Sequence, residues 1–231
     1  MNSSSKVKVW LQAMRLRTLP LALASIAMGT FLAAAEGRFN WNIFILVSLT
    51  TIFLQVLSNL ANDYGDSLHG ADSLHRQGPV RSVQSGTIHP DAMRNAIIVF
   101  SLLSLVSGIF LLLISLENLD VIFLIFILLG VGSIIAALGY TMGKRPYGYA
   151  GFGDLFVITF FGLVGVMGTY YLYTGYIKIL NFLPALTSGL FATAVLNINN
   201  IRDANSVARY GTSLDTLKKL STNLKVSESW W

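Results

Sequence analysis

The 231-residue chain is 54% hydrophobic and only 12% charged, about half the charged fraction of an ordinary soluble domain, which argues against a conventional water-soluble fold. It contains no cysteine, so disulfide frameworks, thiolate chemistry and Cys-based metal sites are excluded. The formal net charge of +5 is a matter of topology and not a nucleic-acid footprint, as the placement of the basic residues shows.

Six apolar runs follow one another along the chain, at roughly 18–35, 43–61, 95–116, 119–139, 154–175 and 179–199. Each is close to the 20 or so residues that cross a hydrocarbon core of about 30 Å. Lipid cannot satisfy backbone N–H and C=O groups, so the spans are expected to be helices. The predicted fold is all-α: a polytopic transmembrane helical bundle of about six spans. One membrane domain covers 1–205, and an atypical cytoplasmic tail covers 206–231. The first run begins with the polar "RLRTLP" and leads into five more spans, so it reads as a retained helix and not a cleaved signal.

Fourteen of the sixteen Lys and Arg residues fall before the first span, in the 62–94 and 140–153 connections, or in the tail. The other connections hold only Arg38 and Lys178. This asymmetry places the N-terminus, both long loops and the tail in the cytoplasm.

The acids gather at two of those cytoplasmic span ends. Span 2 runs into "LANDYGD", with Asp72 in the loop beyond, and span 6 runs into "NINNIRD". If the helices continue, Asn62 and Asp66 lie one turn apart on one face, and so do Asn199 and Asp203. Carboxylates with asparagine carbonyls are hard oxygen ligands suited to Mg²⁺, which favours a few carboxylates plus substrate phosphates over an all-protein cage. Ordinary solvated loop charge is the alternative, but acids near a span cost insertion energy, and the pattern occurs twice in the same topological position.

Arg76 and Arg81 follow the first cluster, and Lys144 and Arg145 sit in "YTMGKRPYGYAGFGD". Beside a metal–carboxylate cluster these cations suit a diphosphate, although each taken singly is better explained as a topogenic residue. Tyr140 and Lys144 are spaced to approach the same phosphate from one turn. Glycines 162, 165 and 168 fall mid-span, where small residues let helices pack closely. A metal-loaded polar mouth over an apolar bundle suits a substrate with a diphosphate head and a long hydrocarbon tail. A dry, aromatic-lined cavity would then shield an allylic cation. A small transporter fits less well, because the spans are almost free of charge.

These stretches together, with "RQGPVRSVQSG", "RPYGYAGFGDLFVITFFGLVGVMGTYYL" and the opening "MRLRTLPLALASIAMGTFLA", resemble the UbiA-type intramembrane aromatic prenyltransferases. They look most like the menaquinone branch, the 1,4-dihydroxy-2-naphthoate polyprenyltransferases, from about Trp10 to Asn205. The resemblance implies polyprenyl diphosphate bound through Mg²⁺. A first motif of Asn62, Asp63, Asp66 and Asp72 and a second of Asn199, Asn200 and Asp203 would hold the metal. Asp66 and Asp203 would be central to catalysis, and Arg81, Tyr140, Lys144 and Arg145 would lie on the diphosphate side. It also implies attack by 1,4-dihydroxy-2-naphthoate with loss of carbon dioxide, to give demethylmenaquinone in the cell membrane. Another aromatic acceptor, such as 4-hydroxybenzoate, is the alternative within the family. Val207 stands where the family usually has an acid, and the family's nine spans exceed the six here. A chain altered near residue 206, lacking the last three helices and non-catalytic, is therefore a further expectation.

Overall fold

A computed structural model describes residues 3–68 and 81–208, with side chains from 6 to 201 within those ranges. Asp72, His69, His75 and Arg76 lie outside the described residues, and so do the side chains of Asp203 and Val207. The described residues are all-helical, and six of their helical segments are long and apolar enough to cross a membrane.

The elements run α1 (Ser3–Met14), α2 (Leu19–Ala34), α3 (Trp41–Leu68), α4 (Pro90–Ser115), α5 (Val121–Gly139), α6 (Gly153–Val157), α7 (Thr169–Thr174) and α8 (Phe182–Ala208). A π-helical segment, Ile158–Gly168, joins α6 to α7 into one span. Local chemistry explains several ends. Pro90 opens α4, where its missing N–H costs nothing. Asp120 caps α5 by accepting from Ile122 N at 2.9 Å and Phe123 N at 3.2 Å. Gly175, at φ 77°, stops α7 in the left-handed conformation that favours glycine.

The structure departs from the sequence expectation in three places and in a fourth meets a condition set there. Helix α2 matches the predicted first span, but a further helix, α1, precedes it: the two meet at Arg15, whose φ of 48° is left-handed, followed by a 3₁₀ turn at Leu16–Thr18. Helix α3 continues to Leu68, as the shared face of Asn62 and Asp66 requires, and carries the acid-bearing stretch on its last turns. Helix α5 ends at Gly139, so Tyr140 and Lys144 do not share a helical turn. The wide π segment has no counterpart in the sequence reading. Its glycines serve close packing: a Cβ on Gly162 would meet Ala185 O at 2.7 Å, and one on Gly165 would meet the Ser25 side chain at 3.1 Å.

Helix α3 packs most extensively on α4, and α8 on the π segment, with α2 between the two pairs. Two apolar clusters form at opposite ends. One joins Ala13, Val56, Leu57, Leu60, Ile88, Met93 and Ile97. The other joins Ile26, Ile43, Val47, Leu111, Leu112 and Leu172. Helix α5 is covered on little of its surface, and Leu124, Leu128 and Ile135 point outward, as suits a helix whose solvent is lipid.

Candidate functional site

A cavity of about 940 Å³ lies inside the bundle, lined by residues from all six spans. Along α3 its wall runs from Val47 to Asp66, 19 residues apart, or about 28 Å at 1.5 Å per residue. That is nearly the depth of a hydrocarbon core. The far part is apolar, with Ile26, Leu111, Leu112, Phe126 and Leu172, while the Asp66 end collects Asn62, Arg81, Asn199 and Asn200. A single cavity therefore combines a greasy interior with a polar mouth.

Asp66 is the best-held group at that mouth. Its Oδ2 forms an ion pair with the Arg81 guanidinium, both side chains being buried. Its Oδ1 accepts from the Tyr149 hydroxyl at 2.6 Å, a length typical of a hydroxyl bonded to an ionised carboxylate. Arg81 comes from the connection that leads into α4, and Tyr149 from the one that leads into α6. Three parts of the chain thus meet on one carboxylate.

Asp63, one residue after Asn62, behaves differently. It is 2% exposed and does not line the cavity. Its Oδ2 accepts from Ser82 N at 3.0 Å and its Oδ1 from Val83 N at 3.2 Å. The carboxylate seats the stretch that carries Arg81, so it steadies the site from outside. Asn62 is turned into the cavity and accepts from Thr141 Oγ1 at 3.2 Å, while that hydroxyl also lies 3.1 Å from Ala61 O.

The second cluster reaches the same cavity through Asn199 and Asn200. Asp203 follows Asn199 by one helical turn on the α8 backbone. Tyr140 lines the cavity too. Burial first, and then the charges of Asp66 and Asp154, push its phenol above the ordinary value, so it remains a neutral hydrogen-bond donor. Its neighbour Tyr147 is pushed up to about 12, chiefly by burial; it donates to Ala136 O at 2.7 Å and stacks on Phe156 at 4.1 Å. Lys144 and Arg145 are exposed and do not line the cavity. Of the aromatic residues flanking the motifs, Phe160, Phe161, Tyr147 and Tyr149 face it, whereas Tyr64, Phe152, Tyr170 and Tyr171 do not.

Arg15 and Arg17 also line the cavity, a placement that sequence reasoning missed. The break between α1 and α2 puts them there. Thr18 Oγ1 donates to Arg15 O at 3.0 Å and accepts from Gln55 at 3.1 Å and Asn59 at 2.9 Å; Asn59 also donates to Met14 O at 2.9 Å. Two amides inside an otherwise apolar span were the available signal.

The donor set fits a hard divalent cation. Asn62, Asp66, Asn199 and Asn200 offer only oxygen acceptors and amide groups to one cavity, and a guanidinium already stands beside Asp66 as a resident cation. Among the described residues no three His, Cys, Asp or Glu side chains form a metal-sized group. A cation here would need further ligands, and substrate phosphate oxygens would serve.

The model of the UbiA prenyltransferase family matches residues 22–218. A 1,4-dihydroxy-2-naphthoate octaprenyltransferase of Haemophilus influenzae is 49% identical over 210 residues, covering 90% of this chain and 68% of that protein. The Escherichia coli protein of that name is 47% identical over 202 residues, covering 87% of this chain and 65% of its own length. The Mycobacterium leprae one is 36% identical over 197 residues, covering 85% and 64%. The chain thus spans about two thirds of the length of these relatives. No solved structure matches it. With the family model covering most of the chain, and an all-helical bundle around a polar-mouthed apolar cavity, the protein belongs to the UbiA prenyltransferase family.

Proposed function

We propose that this chain transfers a polyprenyl group from polyprenyl diphosphate to 1,4-dihydroxy-2-naphthoate, with loss of carbon dioxide and formation of demethylmenaquinone. The observation that carries the reading is the single cavity, which joins the Asn62–Asp66–Arg81 mouth to an apolar interior about as deep as the hydrocarbon core. The naphthoate acceptor is taken from the names of the relatives.

In this reading the tail lies along Ile26, Val47, Leu111 and Leu172, and the diphosphate stays at the mouth. Asp66, Asn62, Asn199 and Asn200, with Asp203 and Asp72, hold Mg²⁺. The metal supplies neutralisation of the leaving diphosphate's charge. Arg81 is already within the cluster, and its planar fork suits a phosphate. The neutral Tyr140 phenol donates a hydrogen bond to the same oxygens. Arg15 and Arg17 add positive charge to the wall, which also suits the acceptor's carboxylate. The apolar walls with Phe156, Phe160 and Phe161 keep water from the allylic carbon as its bond to oxygen weakens. The excess of Lys and Arg at this end supports a cytoplasmic orientation of the mouth.

The test is prenyl transfer by the chain in detergent or membranes, with Mg²⁺, a polyprenyl diphosphate and 1,4-dihydroxy-2-naphthoate, and EDTA as control. Metal-dependent demethylmenaquinone is the expected product. Transfer to 4-hydroxybenzoate instead would overturn the acceptor, and no transfer to either would overturn the activity.

A further inference from the structure

We propose that Tyr149 is a positioning residue for Asp66: its hydroxyl holds one carboxylate oxygen so that the other stays turned toward the cation. The inference rests on the reading above that Asp66 binds a divalent metal. Helix α3 fixes the Asp66 backbone, but the terminal torsion of an aspartate is broad and leaves the carboxylate free to rotate. Its two oxygens have different partners here, the Arg81 guanidinium at Oδ2 and the Tyr149 hydroxyl at Oδ1, 2.6 Å away. A phosphate that drew the guanidinium toward itself would leave Oδ2 available to a metal, with the phenol still holding Oδ1.

The connection that delivers Tyr149 is fastened to α3. Thr141 reaches Ala61 O at 3.1 Å and Asn62 at 3.2 Å. Gly65 lies so close that an added Cβ would sit 2.6 Å from Thr141 O. Gly148 N donates to Tyr140 O at 3.0 Å, which folds the next turn back on the helix end. Burial does not account for the ring's position, because Tyr149 is 51% exposed, whereas the carboxylate it reaches is almost fully covered. A neutral donor on a ligating carboxylate orients it without competing for the metal, and loss of such an outer partner typically costs 10- to 100-fold in metal affinity.

The test is a Mn²⁺ titration followed by electron paramagnetic resonance on the detergent-purified chain, with inorganic pyrophosphate present. Wild type, Tyr149→Phe and Asp66→Asn are compared, and the melting temperature of each is measured. Wild-type binding that is weakened about 10-fold in Tyr149→Phe at unchanged melting temperature, and lost in Asp66→Asn, supports the proposal. So does an apparent metal KM about 10-fold higher with kcat recovered at saturating metal. Equal Mn²⁺ affinity in wild type and Tyr149→Phe overturns it while leaving the metal site intact. Absence of Mn²⁺ binding in wild type overturns the metal reading and this inference together. If Tyr149→Phe is unstable, Tyr149→Leu removes the donor in another way, and unchanged Mn²⁺ affinity there also overturns it.

Discussion

Two carboxylates, at opposite ends of the bundle, are held by nearly the same chemistry. Asp66 takes a tyrosine hydroxyl and an arginine. Glu36 takes the Tyr170 hydroxyl at 2.9 Å, the Tyr176 hydroxyl, and the Lys178 ammonium at 2.9 Å. Only Asp66 faces the cavity. Glu36 lies in the turn after α2, partly open to solvent, and clasps it to the end of α7 and to the turn beyond. Three donors, two of them in the turn after α7, are what a structural clasp needs. Asp66 has the planar arginine fork, burial and open volume beside it, which is what a ligand site needs. What separates the two is the space each carboxylate faces and not the donors that hold it.

That contrast is open to direct attack. Asp66→Ala should abolish prenyl transfer by more than about 100-fold, beyond the usual cost of losing an outer-shell partner, while the chain still inserts into membranes. Turnover near the wild-type level would remove Asp66 from the site. Arg81→Gln should raise the KM for polyprenyl diphosphate roughly 10- to 100-fold, the range for a hydrogen bond to a charged group. An unchanged KM would make Arg81 a partner of Asp66 alone.

Asp63→Ala leaves the N–H groups of Ser82 and Val83 without their acceptor and should cost about 2–3 kcal/mol in unfolding free energy. Transfer should fall because Arg81 loosens, yet Mn²⁺ should still bind. Loss of metal binding with full stability would instead make Asp63 a ligand.

Glu36→Gln should produce the smallest change, a lower melting temperature with transfer rates unaltered. Hydrogen bonds from Tyr176, Lys178 and Tyr170 hold the Glu36 carboxyl at about 2, against an ordinary 4.5. A depressed carboxylate contributes stability that is complete above its unfolded value and is lost as pH falls from about 4.5 toward about 2. The substitution should flatten stability across that window, and an unflattened profile would place the clasp's contribution elsewhere.

Much of this was legible in the residues. Six apolar runs of spanning length specify the bundle because lipid leaves the backbone no alternative to helix. Asn62 and Asp66 share a face because helical periodicity carries past the end of the apolar run. Contacts far apart in sequence were not legible. Tyr149 reaches Asp66 across 83 positions, and no local pattern marks that meeting. The left-handed turn at Arg15, which brings Arg15 and Arg17 to the cavity, is stabilised by Gln55 and Asn59 from another helix. Asp63 matched the motif as well as Asp66 does, and only its side-chain direction separates a seat for backbone N–H groups from a place at the mouth. Lys144 and Arg145 stand outside the cavity because α5 stops at Gly139 and the chain turns away.

The most direct measurement sets the two carboxylates side by side: pyrophosphate-dependent Mn²⁺ binding and thermal melting of Asp66→Asn and Glu36→Gln against wild type. The account predicts that Asp66→Asn loses the metal and also melts earlier, because the buried Arg81 charge loses this carboxylate, while Glu36→Gln melts earlier and keeps the metal. Wild-type Mn²⁺ binding in Asp66→Asn would contradict it.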